Sequence, residues 1–434
     1  MPELKPPGSP ASPASPASPA SPTSPTSPGF WRSPVRGPWF TSVLGVVLLG
    51  GITVLFVTGL VSYAAYNPDL SPVNDKTPDK GLLGFYLHLF TWPTDPPWLY
   101  RLTQGVHVTL GIVLVPVLLA KLWSVVPKLF ALPPVRSLAH ALERISLLLL
   151  VGGALFEFAT GVLNIQLDYV FPGSFYPLHF YGAWVFIAGF VTHAVLRTPE
   201  ALRNLRDMRN GRVEKGELVA PEPFEPTVSR RGALGFVGGG SLLLFVTTAG
   251  RNFDGPLRET AVLAPHGGPE PGGGPGGFQI NKTAASRGIS AVETSEEAWR
   301  LVVEGRGRRT VRLSRDDLLQ LPLYSAALPI ACVEGWSTSD QWWRGVRLRD
   351  LAGLVGYEDG TAPDVLVESL QRHGAFRRAA LRDNQVHDGR SLLALFVNGE
   401  PLTPDHGYPA RVIVPAAPGV LNTKWVARMT FGDL

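Results

Sequence analysis

SRRGALGFVGGGSLLLF, residues 229–245, divides the chain into two unlike halves. Arg230 and Arg231 precede a weakly hydrophobic, glycine-rich run. Gly232–Ala249 is at the short end of what crosses a hydrocarbon core of about 30 Å, given about 1.5 Å of rise per helical residue. The paired arginines have the form of a twin-arginine export signal, which carries folded, cofactor-loaded domains; an ordinary basic stop at a helix end has the same composition.

Upstream lie four longer apolar runs, Trp39–Val61, Leu102–Leu122, Ala141–Leu163 and His179–Leu196. They are apolar all round, which fits membrane spans better than buried helices of a soluble core. Arg32 and Arg36 precede the first run. Lys121, Lys128, Arg136 and Arg144 lie between or at the edges of the second and third. Arg197, Arg203, Arg206, Arg209, Arg212, Lys215, Arg230 and Arg231 lie between the fourth and fifth. The stretches 67–100 and 164–178 are poor in basic residues. A cytoplasmic N-terminus gathers all the basic regions on one side, and five crossings then export everything after residue 250.

Further out, residues 9–28 repeat a Ser-Pro-Ala/Thr triplet with no apolar face to bury, a composition of extended, disordered chain. Residues 265–277, PHGGPEPGGGPGG, read as a flexible linker. Beyond it, β-rich runs (Trp299–Glu304, Val365–Ser369, Arg411–Pro415) alternate with helical ones (Arg315–Leu321, Leu348–Val355, Gly389–Val397). The expected organisation is a tail at 1–38, an all-α four-span transmembrane helix bundle at 39–200 and a cytoplasmic loop at 201–231. A fifth, anchoring span at 232–250, a linker at 251–277 and an exported α+β domain at 278–434 follow. The net charge of +4 over 434 residues is too small and too dispersed to point to nucleic acid, and none is expected as a partner. One cysteine, Cys332, excludes internal disulfides and multi-cysteine metal clusters.

Ionisable residues inside spans are costly and mark function by default. His179 and His193 are 14 residues apart, so they differ by about 40° in direction and about 21 Å in height along one helix. Such a pair serves two b-type haems stacked across a bilayer, neutral imidazole being a standard axial ligand. Matched depth pairs His107 with His179 around an outer haem and leaves His140, at a span's edge, as partner of His193. Interfacial or helix-packing histidines are the alternative. His88 is a spare candidate, and Glu157 either accepts protons from a quinol or hydrogen-bonds between helices.

The segment Ile330-Ala-Cys332-Val-Glu-Gly-Trp336-Ser337, followed by Trp343-Arg-Gly-Val-Arg-Leu-Arg-Asp350, resembles the sulfite-oxidase superfamily of molybdopterin enzymes. Within it the likeness is to the bacterial periplasmic branch that includes the molybdenum subunit of methionine-sulfoxide reductase. A second block, Asn398-Gly-Glu-Pro-Leu-Thr-Pro-Asp-His406-Gly-Tyr-Pro-Ala-Arg411, resembles the superfamily's segment around the pyranopterin and its phosphate, and Asn422-Thr423-Lys424-Trp425 matches the element after it. The resemblance spans roughly 278–434. It implies an α+β sulfite-oxidase-type fold, with Cys332 as molybdenum ligand and catalytic centre. It also implies cofactor contacts at His406, Arg411, Asn422, Thr423 and Lys424, with Ser369 and Asn281 as further matches. Arginine suits a phosphate because its planar fork makes paired charge-assisted bonds.

Sulfite oxidases carry an arginine-lined substrate pocket that Val333–Thr338 does not suggest, and the chain ends soon after Lys424, short of their dimerisation domain. The expected protein is therefore a multi-pass oxidoreductase of a bacterial cell membrane, its catalytic domain outside the cytoplasm. Quinol or another membrane donor reduces one or two b haems, and a molybdenum–molybdopterin centre reduces an S- or N-oxide, small or protein-bound. Alternatives are oxidation of a sulfite-type substrate with reversed electron flow, and a b-type cytochrome whose outer module binds without catalysis.

Overall fold

The computed structural model describes residues 33, 35–70, 88–129, 138–165, 175–210, 228–252, 256–264, 275–358, 363–373 and 376–434. The tail, the loop positions Arg136, Arg212 and Lys215, and the side chain of His140 lie outside the described residues.

The expected spans form helices α1 (Pro38–Ala64), α2 (Leu99–Leu129), α3 (Leu138–Asn164), α4 (Tyr176–Arg209) and α5 (Arg230–Thr248). Among the described residues, five helices are thus long and apolar enough to cross a bilayer. Their local causes are legible. Proline opens α1, where its missing N–H costs nothing. Ser229 caps α5 by accepting a hydrogen bond from the Gly232 amide at 3.0 Å. Successive helices run antiparallel. Ser124 receives the Thr41 hydroxyl at one end of the α1–α2 pair, and Ser62 meets Thr103 at the other, both at 3.2 Å. The fifth helix is a full member of the bundle, its Ser241 hydroxyl donating to the Val113 carbonyl of α2. Phe40, Leu44, Leu48, Ile52, Leu114, Val117, Leu118, Ala154 and Phe186 make the buried seam, while Val185, Leu242 and Leu243 point outward, as in a bundle solvated by lipid.

Arg36, Lys121, Arg206, Arg209, Arg230 and Arg231 all sit at the end of the bundle where α1 and α5 begin and α2 and α4 finish. The C-terminal domain stands on the opposite end. After short helix α6 (Leu257–Thr260) it builds strands β1 (Leu301–Gly305), β2 (Thr310–Leu313), β3 (Tyr324–Leu328), β4 (Gln341–Arg347) and β5 (Val365–Ser369). Strands β6 (Arg378–Leu381), β7 (Leu392–Val397), β8 (Glu400–Pro401), β9 (Arg411–Ile413) and β10 (Val426–Phe431) complete it. One sheet runs β2-β1-β10-β5-β6; the other runs β3-β4-β7-β8, with β9 also on β7. Helices α7 (Arg315–Gln320), α8 (Leu348–Leu354) and α9 (Asp383–His387) are short. The first of them starts at a capping box, Ser314 and Asp317 each accepting the other's amide.

One expectation fails here. Gly389–Val397 reads as helical because leucine and alanine dominate it, yet Leu392–Val397 is strand β7. It pairs with both β4 and β9, and Leu392, Leu393, Ala394 and Leu395 are wholly buried. A strand covered on both faces loses its polar alternation, so tertiary placement overrides propensity.

Candidate active site at the junction of bundle and C-terminal domain

Cys332 lies on the turn between β3 and β4, with its side chain 3% exposed. Gly335 closes that turn with φ +83°, a left-handed conformation that glycine adopts without strain. The Cys332 thiol donates to Glu334 Oε2 at 3.2 Å, and the same oxygen accepts the Trp336 indole N–H at 2.9 Å. Burial pushes the thiol pKa up, and the Glu334 carboxylate adds to the shift. A metal bound at the sulfur would reverse that balance.

One cleft joins Cys332 to Asn281, His406, Arg411, Asn422, Thr423 and Lys424, residues spread over more than 140 positions of sequence. Of the expected cofactor contacts, Ser369 stands apart from this lining. Its hydroxyl donates to the Lys424 carbonyl at 2.7 Å and accepts from the Gln371 amide at 3.1 Å, so it shapes the wall from behind. Asn281 reaches Cys332, its amide 3.8 Å from Sγ. Arg411 holds the loop by donating to the carbonyls of His406 and Asn422 at 3.1 and 3.3 Å. Lys424 Nζ donates to the carbonyls of Lys282 and Asp405, each at 2.7 Å.

Four polar atoms in the wall are buried and have no hydrogen-bond partner among the described residues: His406 Nε2, Arg411 Nε, Asn422 Nδ2 and Thr423 Oγ1. Leaving such groups unpaired costs about 1–3 kcal/mol each. Their convergence in one cleft fits a polar, anionic ligand with several acceptors, as a phosphate-bearing pterin is. The electrostatics agree. Burial, with the positive charges of Arg411 and Lys424, lowers His406 to about 4. Burial lowers Arg411 to about 9 and depresses Lys424 strongly. An anion bound among them relieves all three. Gln279, Lys282, Glu334 and Gln371 also belong to this region. None of them was singled out in the sequence: Glu334 sits within the Cys332 block, Gln279 and Lys282 flank Asn281, and Gln371 follows Ser369, but only the fold turns them to one cleft.

Cys332, Asn281, Lys282, Phe376 and Val420 also line a second cavity of about 540 Å³ that continues into the bundle. His107 of α2 and His179 of α4 line its far part. Their rings are 6.2 Å apart between centroids, with planes at 83°. The Nδ1–H of His107 donates to the Leu55 carbonyl at 2.9 Å, with the Thr58 hydroxyl 3.2 Å away. His179 Nδ1 is 3.2 Å from Glu157 Oε2 and 3.1 Å from the Thr160 hydroxyl. A carbonyl or carboxylate partner fixes the proton on Nδ1 and leaves the Nε2 lone pair for a metal. Gly59 and Gly161 make room for the rings: a side chain on either would stand 3.0 Å from His107 or 3.3 Å from His179. His193 does not line this cavity. His88 is 3.4 Å from Asp69, outside both sites.

Residues 289–433 match the profile of the oxidoreductase molybdopterin binding domain. Over 133 residues the chain is 35% identical to the uncharacterized oxidoreductase YuiH of Bacillus subtilis (strain 168), covering 31% of this chain and 65% of that protein. It is 32% identical over 158 residues to human mitochondrial sulfite oxidase (31% and 29% covered). Over 98 residues it is 39% identical to the NAD(P)H nitrate reductase of Hordeum vulgare (20% and 10% covered). The crystal structure of the sulfane dehydrogenase SoxCD from Paracoccus pantotrophus aligns at 25% identity with a TM-score of 0.29, over 33% of this chain and 40% of that one. The chain spans less than two thirds of the length of each of these relatives, and the family match falls within the C-terminal domain. Residues 289–433 are thus a molybdopterin-binding oxidoreductase domain, similar to those of sulfite oxidases and nitrate reductases.

Proposed function

We propose that this protein is a membrane oxidoreductase in which a haem b between His107 and His179 exchanges electrons with a molybdenum centre on Cys332, reducing an S- or N-oxide at the expense of quinol. The observation that carries this reading is the cavity shared by the two histidines and the cysteine. With about 2 Å from metal to imidazole nitrogen and about 1 Å more to the ring centre, two axial imidazoles hold their centroids about 6 Å apart. The separation of 6.2 Å fits that requirement.

Molybdenum, when bound, supplies the oxygen-atom transfer. The chain's own residues bind and orient. Cys332 is the thiolate ligand, Arg411, Asn422, Thr423 and His406 present donors to the pterin and its phosphate, and Asn281 stands beside the sulfur. Quinol gives up two electrons and two protons; the oxide takes the same and leaves as sulfide or amine plus water. The five helices cross a bacterial cell membrane with their basic ends in the cytoplasm, which puts the C-terminal domain outside. Arg230 and Arg231 act as the export signal of a helix that stays in the bundle. His193 with His140 is the site of a second, inner haem.

A second reading has one observation in its favour. Lys282 and Arg287 line the cavity beside Cys332, a basic lining that suits an oxyanion such as sulfite, with electrons running from the C-terminal domain back into the bundle to quinone. Purified protein assayed with reduced viologen against dimethyl sulfoxide and trimethylamine N-oxide, and with ferricyanide against sulfite, separates the two. Turnover only with sulfite overturns the first; absence of molybdenum from the purified protein overturns both.

A further inference from the structure

The helix that carries His107 also touches the loop that carries Cys332. One turn before the histidine, the Gln104 side-chain amide donates to the Val333 carbonyl. One residue after it, Val108 packs over Gly335: a methyl group on that glycine would stand 2.5 Å from the valine side chain. The loop therefore fits α2 only with glycine at 335. From Cys332 to His107 the path runs through one peptide unit, one hydrogen bond and a single turn of helix.

Around this point the two parts are held by buried contacts. Asn67, after the end of α1, donates to the Ala380 carbonyl and Gln385 Oε1 at 3.2 and 2.8 Å. The Trp92 indole donates to the Ala416 carbonyl at 2.7 Å, and the Ala416 amide donates to the Pro97 carbonyl at 3.1 Å. The Ser337 amide donates to the Arg251 carbonyl at 3.1 Å. Tyr66, Trp92, Tyr100 and Ala331 form an apolar cluster in the middle. Separating the parts would exchange these hydrogen bonds for water and expose the apolar cluster and its aromatic rings, so the closed arrangement is favoured.

We propose that this interface is a permanent electron-transfer dock and that Gln104 is its positioning residue. Electrons cross one at a time between the His107–His179 site and the Cys332 site, the one oxidised as the other is reduced, with no swing of the C-terminal domain. The inference rests on the proposed haem and molybdenum sites.

The test uses the full chain in detergent, with haem and molybdenum content measured first, so that loss of the parent reading is seen separately. Photoreduced deazaflavin injects an electron into the haem in a laser flash, and decay of reduced-haem absorbance reports transfer to molybdenum without any substrate. Asp95 and Arg390 pair at 2.7 Å across the interface, away from both sites. Asp95→Cys with Arg390→Cys, bridged by a short bis-maleimide, locks the dock; the buried Cys332 of the parent chain serves as the labelling control. The expected result is the same decay rate with and without the bridge, and no dependence on sucrose viscosity. Gln104→Leu should slow the decay by about tenfold at unchanged haem absorbance, the loss of one hydrogen bond's worth of alignment. Should that variant not fold, Gln104→Asn, whose amide falls short of Val333, replaces it, and the viscosity series on the parent chain stands by itself. A rate that falls on bridging or with viscosity overturns the fixed dock. An unchanged rate in the folded Gln104 variant overturns the role of Gln104, and no decay with both cofactors present overturns the proposal whole.

Discussion

His107 and His179 face each other across one cavity with centroids 6.2 Å apart and planes at 83°, each ring held through Nδ1 by a partner on its own side. They come from α2 and α4 near the ends that meet the C-terminal domain. If the proposed haem sits between them, His107→Ala or His179→Ala should remove it together with its share of the b-type absorbance, and His193→Ala should leave it. A pyridine haemochrome assay counts what remains; full haem content in both His107 and His179 variants would defeat the assignment.

Cys332→Ser should lower turnover by at least about a hundredfold, equivalent to about 2.7 kcal/mol of barrier, with the haem spectrum unchanged. The sulfur lies in the wall of the C-terminal cleft, while His107 and His179, the proposed haem ligands, lie on bundle helices. Steady-state assays with reduced dye, alongside the optical spectrum, check both halves of the expectation.

Arg411→Lys tests the cofactor cradle. The guanidinium donates to two carbonyls and still presents Nε to the cleft, a fork that an ammonium group cannot reproduce. Retention of the pterin through gel filtration, read from fluorescence after acid release, should fall by about tenfold. Unchanged pterin content would remove Arg411 from the site.

In protein freed of cofactor, His406 gives a pH signature. Its folded value of about 4 lies below the ordinary histidine value of about 6.5, so the unfolded chain binds more protons between them. The contribution to stability is present above about pH 6.5 and is lost as pH falls toward 4, to a limit of about 3 kcal/mol. Urea midpoints between pH 7 and pH 4.5 should fall in the parent chain and fall less in His406→Gln. Parallel curves would rule out this histidine as the source.

The long apolar helices, the glycine-rich fifth among them, and strands β1, β5 and β9 were legible in the sequence, because apolar runs and turn residues act locally. Cys332, Arg411 and Asn422 stood out because their blocks resemble those of a known family, and the structure brings all three to one cleft. Strand β7 was not: Leu392–Val397 has helix-forming residues, and only its burial between β4 and β9 makes it a strand. Depth in the membrane paired His107 with His179, yet the separation of 6.2 Å and the Nδ1 partners depend on how α2 and α4 pack. Tertiary structure alone brought Gln104 to Val333, more than 200 residues away, and set Lys282, Arg287 and Glu334 around the cavity. Local pattern specifies elements, since side-chain periodicity follows from backbone geometry. Contacts between distant loops follow from packing, which no single stretch of sequence contains.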